Sequence, residues 1–317
     1  MEQASVGTVS PVSAFEHEAL FYRTAEDYLA GTVEFVEGGI AAGEPVFVSV
    51  PGPRVELLRG RLNGSQDRVR FADMTKVGRN PSCIIGAIRQ FTDLHAGRRV
   101  RFIGEPIWVG RDEAEIREAT RHEALLNVAF ASTPMTILCP YDVAGLNDRT
   151  LADAHRTHPI VVAADDRRAS FDYTDPAEMS ALSDELPLPP TDADQLAFSH
   201  DGLPKVRRFV QRHAERLGLA RDRVDDLVIG VNEVATNTLA HTHSDGVIQA
   251  WQDPGHRGLV CEVRDGGTIN DPLLGRVAPS ARAEGGRGLW IVNQCCDLVE
   301  LRSSAAGTTI RMHVRAH

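Results

Sequence analysis

Two hydrophobic rhythms alternate along the first half of the chain. Short apolar, β-branched runs fall at Pro45–Val50, Val69–Met74, Arg99–Ile103 and Met135–Tyr141. Between them lie longer stretches with helical spacing, Ala25–Ala42, Arg54–Leu62, Cys83–His95 and Glu113–Ala131. Strands alternating with helices of this length predict βαβ units and a mostly parallel sheet. Ligands of such sheets sit at the carboxyl ends of the strands. A phosphate-binding P-loop is expected after the first strand, but the residues there are Val50-Pro51-Gly52-Pro53-Arg54-Val55, and no GxxxxGK[ST] exists.

The rhythm changes after residue 162. From Ala163 to Asp194 there are nine acidic and two basic residues, with Pro176, Pro187, Pro189 and Pro190. Low hydrophobicity, charge and proline oppose a packed core, so residues 163–196 read as an extended linker between two loosely held halves. A second unit begins near Phe198. Helices are expected over Leu203–Arg216, Arg221–His241 and Gly288–Cys296, and strands at Gly246–Gln252, Gly258–Arg264, Leu298–Ser303 and Thr308–Val314. This pattern predicts an α/β sandwich, with helices on one face of a mixed sheet.

A length of 317 residues fits two domains and 42% hydrophobic content is ordinary for globular protein. The net charge of −10 argues against direct binding to nucleic acid or an anionic membrane. That charge sits in residues 1–199, while residues 200–317 carry 15 basic and 14 acidic residues. The five cysteines form no CxxC pair, and adjacent Cys295-Cys296 reads as packing. The N-terminal 14 residues, expected to be flexible, lack the basic and apolar regions of a signal peptide, and no run reaches ~20 apolar residues. The expectation is a cytoplasmic protein.

Candidate chemistry gathers in the second unit. In the helix over Arg221–His241, Glu233 and Asn237 lie four residues apart on one face, away from the apolar stripe. The strand ending at Arg264 leads into Asp265-Gly266-Gly267. Gly285-Gly286-Arg287-Gly288-Leu289 precedes an apolar helix, and Gly307-Thr308-Thr309 forms a later turn. Glycines let backbone amides reach an anion, and a helix N-terminus favours negative charge. A carboxylate, an amide and such glycines are the parts of a nucleotide site that is not a P-loop.

In this order the motifs resemble the ATPase domain of the GHKL superfamily, and within it the bacterial anti-sigma factor serine/threonine kinases. The resemblance covers residues 197–317 and implies ATP and Mg²⁺ as cofactors. It implies Glu233 as the group that orients or deprotonates the attacking hydroxyl, and Asn237 as the Mg²⁺ ligand. Asp265 would read adenine, supported by Thr309 and Gly267. Gly286 and Gly288 would hold the lid over the phosphates, with Arg287 near their charge and Leu289 in the same cofactor-binding box, and Asp271–Glu284, with Arg276 and Arg282, would be the lid. Thr268-Ile269-Asn270 stands where many relatives have a further glycine.

Residues 15–162 resemble the MEDS sensory domain of methanogen and methylotroph regulators. The resemblance rests on His17-Glu18-Ala19-Leu20-Phe21-Tyr22, Gly104-Glu105-Pro106-Ile107-Trp108, His122-Glu123-Ala124-Leu125-Leu126-Asn127, Cys139-Pro140-Tyr141-Asp142 and the segment Asp153–Pro159. It implies a RecA-like sheet that binds a small ligand, with His17, Glu105, His122 and His158 as polar lining. No tight ligand spacing among these residues favours a metal site. The two resemblances together imply an anti-sigma regulator that binds Mg-ATP, sequesters a sigma factor and phosphorylates an anti-sigma factor antagonist; a homodimer is compatible with this. The alternatives are a non-catalytic ATP-dependent binding module and a sensor histidine kinase. For the last, His155-Arg156-Thr157-His158-Pro159 lacks flanking heptads.

Overall fold

The structure is a computed structural model that describes residues 14–62, 64–163, 166–242, 245–253, 255, 258–279 and 286–316. A first sheet contains β1 (Phe15–Tyr22), β2 (Val46–Val50), β3 (Val69–Asp73), β4 (Val100–Gly104), β5 (Met135–Asp142), β6 (Ile160–Ala163) and β7 (Asp166–Ala169). Its strand order is β3-β2-β4-β5-β1-β6-β7. All pairs are parallel except β6 with β7, which are antiparallel. The expected mostly parallel sheet is present.

Both faces of this sheet are buried, as parallel sheets require. Val46, Val48, Val50, Ile103 and Leu138 point to one side, where α1 (Ala25–Ala42) and α2 (Gly52–Arg61) pack through Tyr28, Val36 and Leu58. Phe47, Phe102, Ile137 and Cys139 point to the other side. There the short α3 (Met74–Val77) adds Met74, and α4 (Ile84–Leu94), α5 (Glu113–Ala129) and α6 (Asp148–Thr157) pack on the sheet. Helix starts follow local chemistry: Thr24 with Asp27 and Asp112 with Glu115 form reciprocal capping boxes at α1 and α5.

Strand β1 has a polar beginning, Phe15-Glu16-His17-Glu18, that hides it from a search for apolar runs. Those polar groups find partners. Arg99 donates to Glu16 at 2.8 Å and Arg167 to Glu18 at 2.6 Å. Arg167 lies on β7, so the acidic segment begins as an edge strand.

The rest of that segment is also ordered. The short α7 (Pro176–Met179) precedes the buried Ser180 and Leu182. Ser303 donates its amide to Leu182 O at 2.8 Å, and Arg311 donates to Pro187 O at 2.6 Å. Strand β8 (Asp194–Phe198) starts inside the expected linker. Proline and charge mark this segment as lacking a core of its own; it uses the second sheet as its support.

That second sheet has the order β11-β12-β10-β9-β8, with β9 (Gly246–Gln252), β10 (Gly258–Asp265), β11 (Leu298–Ser304) and β12 (Gly307–Arg315). Every pairing is antiparallel, so the sheet is not the mixed one expected. Helices α8 (Leu203–Arg216), α9 (Arg221–His241) and α10 (Arg287–Cys295) cover one face through Phe209, Leu227, Val231, Val234 and Val292. Cys296 is buried in this core and all five cysteines are free thiols.

The opposite face is buried but charged. Arg311 donates to Glu262 at 2.8 Å, and His313 lies 3.1 Å from Glu300. Arg117 of α5 donates to the other oxygen of Glu300 at 3.0 Å. Further bridges join the halves: Arg302 donates to Glu118 at 2.6 Å, and Arg315 donates to Asp112 and Glu115, each at 2.9 Å. The two sheets are therefore locked by ion pairs along α5, in place of the loose arrangement suggested by the acidic segment.

This lattice predicts a pH window. Burial opposes the charge on Glu300, but His313 and Arg117 outweigh it and bring the carboxyl down to about 2. Burial likewise opposes protonation of His313, and Asp253 with Glu300 outweighs it to raise the pKa. Ionised Glu300 adds stability above ~4.5 that is lost as pH falls toward about 2. Protonated His313 adds stability below ~6.5 that is lost as pH rises through its raised folded value. His313→Gln is expected to lower the melting temperature most below that value, the gap to wild type narrowing toward alkaline pH. A constant gap from pH 5 to 9 would remove His313 from the lattice.

Candidate functional site

A cavity of about 330 Å³ opens between α9, α10 and the end of β10, large enough for a small-molecule ligand. Asp265 is the last residue of β10 and lines it. Both carboxylate oxygens of Asp265 are fixed: one accepts from Thr238 Oγ1 at 2.7 Å, the other from the Gly267 amide at 2.8 Å. An acceptor so held is ready for a donor edge such as an exocyclic amine.

The helix α9 contributes Asn237 to the lining, with Glu233 one turn earlier. Both reach α10 at Gly288. A Cβ on Gly288 would lie 3.0 Å from Asn237 Nδ2 and 3.1 Å from Glu233 Oε2, so the absent side chain leaves room for the pair. Gly286 adopts φ 82° as the N-cap of α10, a left-handed conformation that favours glycine, and Gly286 and Gly288 both line the cavity. Arg287 and Leu289 follow, exposed and buried respectively, and Leu289 lines the cavity. Gly285 and Arg282 lie outside the described residues.

Thr309 is not in this cavity. It pairs with Arg264 and Arg302 on the charged side of β12, whereas Thr308 and Ile310 face the helices and line the site. Strand alternation fixes this: one position along β12 exchanges the two faces. Thr308 Oγ1 donates to Gly267 O at 2.8 Å and lies 2.9 Å from Ser303 Oγ, bracing the glycine loop after Asp265. Thr238 and Thr308 were both missed from the sequence. Their signal was positional, Thr238 one turn after Val234 on the cavity side and Thr308 at an even offset from Ile310.

The start of the expected lid is anchored to the other half of the molecule. Leu274 lines the cavity. Its neighbours Leu273 and Val277 pack against the core of the first sheet, and Arg276 is buried with its guanidinium 3.7 Å from Glu118. The adjacent α10 is tied to the same half, since Asn80 Nδ2 donates to Asn293 O at 3.0 Å.

The four expected polar lining residues of the first half divide among three places. His17 and His158 converge, their rings 4.0 Å apart, together with Glu123 and Cys139. Burial first, then His158, hold His17 down at about 4. Glu105 sits elsewhere, at the carboxyl end of the sheet, where Arg54 donates to it and stacks over Tyr22 and Tyr28. Burial pushes the Glu105 carboxyl up to about 8 against the pull of Arg54. Arg54, two residues past Gly52 where a P-loop would stand, thus reaches the strand-end residue Glu105. His122 is buried on α5 apart from both, and burial lowers it to about 3.

The structure sets an α/β domain with a cavity between its helices and its antiparallel sheet against a second α/β domain. Residues 16–159 match the family model of the MEDS, the methanogen/methylotroph, DcmR sensory domain, and residues 196–314 match that of the histidine kinase-like ATPase domain. The chain carries a MEDS sensory domain joined to a histidine kinase-like ATPase domain, the make-up of an ATP-dependent regulator. No curated protein matches the chain. Among solved structures, the RsbU and RsbW domains of a Mycobacterium tuberculosis protein are 16% identical, covering 67% of this chain at a TM-score of 0.29. The chain covers 50% of that structure's length. An ATPase domain of another protein is 10% identical, covering 48% of this chain and 70% of its own, at a TM-score of 0.33. No helix among the described residues is long and apolar enough to cross a membrane.

Proposed function

We propose that this chain is an anti-sigma regulator of the cytoplasm. It binds Mg-ATP in the second domain, sequesters a sigma factor and phosphorylates a serine or threonine of an anti-sigma factor antagonist. The observation that carries the reading is the meeting of Glu233 and Asn237 at Gly288, beside the fixed Asp265. Asp265 receives the adenine amine, with Thr308 in the bracing role expected of Thr309. The α10 N-terminus and the Gly286 turn hold the phosphates, with Arg287 beside their charge. Asn237 supplies an amide oxygen for Mg²⁺, which neutralises charge across the phosphates when bound. Glu233 orients the attacking hydroxyl and takes its proton. Phosphoryl transfer needs mainly positioning and charge stabilisation, so this short list suffices.

Sensing enters through the MEDS domain, whose small ligand binds toward the strand carboxyl ends near Glu105. The lid start supports coupling: one short segment places Leu274 in the ATP cavity and Leu273, Arg276 and Val277 on the sensory domain. A ligand that favours one arrangement of that contact changes ATP affinity, and ATP then changes the affinity for the ligand by the same factor.

Incubation with labelled ATP and a candidate antagonist tests the proposal. Acid-stable label on the antagonist is expected. Retained binding without label favours the non-catalytic module instead. A histidine phosphoacceptor is disfavoured because His158 is fully buried and His155 stacks on Phe21. Glu233→Ala is expected to keep Mg-ATP affinity near wild type and to slow transfer by ~10²–10⁴-fold, the usual contribution of a positioned base. Transfer unchanged in that variant would take Glu233 out of the chemistry.

A further inference from the structure

The strongest feature outside the ATP site is the cluster formed by His17 on β1, Glu123 on α5, Cys139 on β5 and His158 at the end of α6. All four side chains are buried, and each offers a donor atom within 4.8 Å of the others. His17 Nε2 lies 3.1 Å from Glu123 Oε2 and 3.5 Å from Cys139 Sγ. Glu123 Oε2 lies 3.4 Å from Cys139 Sγ and 3.5 Å from His158 Nε2. Zinc bonds of ~2.0–2.3 Å at tetrahedral angles give donor–donor edges of about 3.3 to 3.6 Å for one sulfur and three N/O ligands. Four of the six edges are thus already at or near the size of a zinc tetrahedron.

The protons make the case stronger. Asn127 Nδ2 donates to Thr157 O at 2.8 Å, so its Oδ1 is the atom that faces His17 Nδ1 at 3.2 Å. An amide oxygen only accepts, hence His17 Nδ1 carries the hydrogen. His158 Nδ1 lies 2.9 Å from Ala154 O, another acceptor, and carries its hydrogen likewise. In the neutral rings both Nε2 atoms therefore turn bare lone pairs toward a carboxylate. Acceptors facing acceptors in a dry interior call for a cation between them. Two atoms of the group, His158 Nε2 and Glu123 Oε1, have no hydrogen-bond partner.

We propose that His17, Glu123, Cys139 and His158 bind one Zn²⁺ ion in the sensory domain. Imidazole and thiolate donors select zinc over calcium or magnesium, which take oxygen. Four protein ligands close the coordination, so the ion is structural and ties β1 to α5, β5 and α6. Asn127 and Ala154 O serve as the outer hydrogen-bond partners that fix the ring orientation of metal-bound histidines.

The test uses the full chain expressed with zinc supplied. Elemental analysis is expected to give about one zinc per chain. Chelation followed by Co²⁺ addition is expected to produce tetrahedral cobalt absorption with a thiolate charge-transfer band. Cys139→Ala is expected to lose that band, and Asn127→Ala to weaken Co²⁺ binding by ~10–100-fold against a competing chelator. The Asn127 variant leaves all four ligands in place, which keeps the test meaningful should Cys139→Ala fold poorly. A folded wild-type chain with no zinc and no cobalt band overturns the site and leaves a proton-shared His–Glu network. An unchanged thiolate band in Cys139→Ala, or unchanged Co²⁺ affinity in Asn127→Ala, overturns this ligand assignment.

Discussion

Asn237→Ala is expected to reduce Mg-ATP affinity by about 100-fold or more while leaving the protein folded. Removing a group paired with a charge costs ~1.5–3 kcal/mol on its own, and an amide that holds the metal affects every phosphate contact behind it. The stability cost is expected to stay within ~0.5 kcal/mol, because Asn237 is half-buried at the cavity edge and outside the apolar cluster of its domain. Calorimetric titration of Mg-ATP with parallel melting curves measures both. Wild-type affinity in a variant with an unchanged melt would move the metal ligand elsewhere.

The second large effect is structural. Glu118→Ala is expected to destabilise the chain by ~3–5 kcal/mol, the usual cost of removing one partner from a buried ionic group. Glu118 is buried, Arg302 donates to it at 2.6 Å, and Arg276 lies 3.7 Å away. Alanine removes the carboxylate shared by buried Arg276 and half-buried Arg302. Because Arg276 belongs to the segment that puts Leu274 in the ATP cavity, Mg-ATP affinity is expected to fall too. Urea unfolding and calorimetry on the same preparation measure the two effects. A loss under ~1 kcal/mol would show that water or other acceptors replace Glu118 readily, and would weaken the coupling argument with it.

The parts of the cavity between α9 and α10 were legible because they are local. Glu233 and Asn237 share a helix face by spacing alone, and glycines announce close approaches that no other residue allows. Register was less legible. Thr308 and Thr309 are adjacent and chemically identical, and only the pairing of β12 with β10 decides which one meets Gly267. The sensory cluster was half legible: His17 and His158 were singled out, but Glu123 and Cys139 are joined to them only by the order of strands in the sheet. Linear spacing says nothing about such a meeting. The acidic segment misled for a related reason. Its composition describes what it cannot do alone, whereas its order comes from Ser303 and Arg311 of the second sheet. The edge strand β8 starts at Asp194, so a fragment beginning at residue 197 would lose most of it and expose Glu262 and Glu300.

The position of β1 bears on how the chain is made. β1, which precedes the other described strands in the sequence, sits in the interior of its sheet, between β5 and β6. Phe15 pairs with Met135, and Glu18 with Ile160. The first partner lies 120 positions further along the chain and the second 142. At ~5–20 residues per second, β1 waits many seconds with its Ala-Leu-Phe-Tyr run uncovered. Such distant pairings make folding slow, and they leave an unpaired edge open to wrong partners in the interval. Charged residues flanking an apolar run disfavour such wrong pairing, and Glu16 and Glu18 stand directly before the apolar end of β1. The same residues that obscure the strand in the sequence thus guard it before its neighbours arrive.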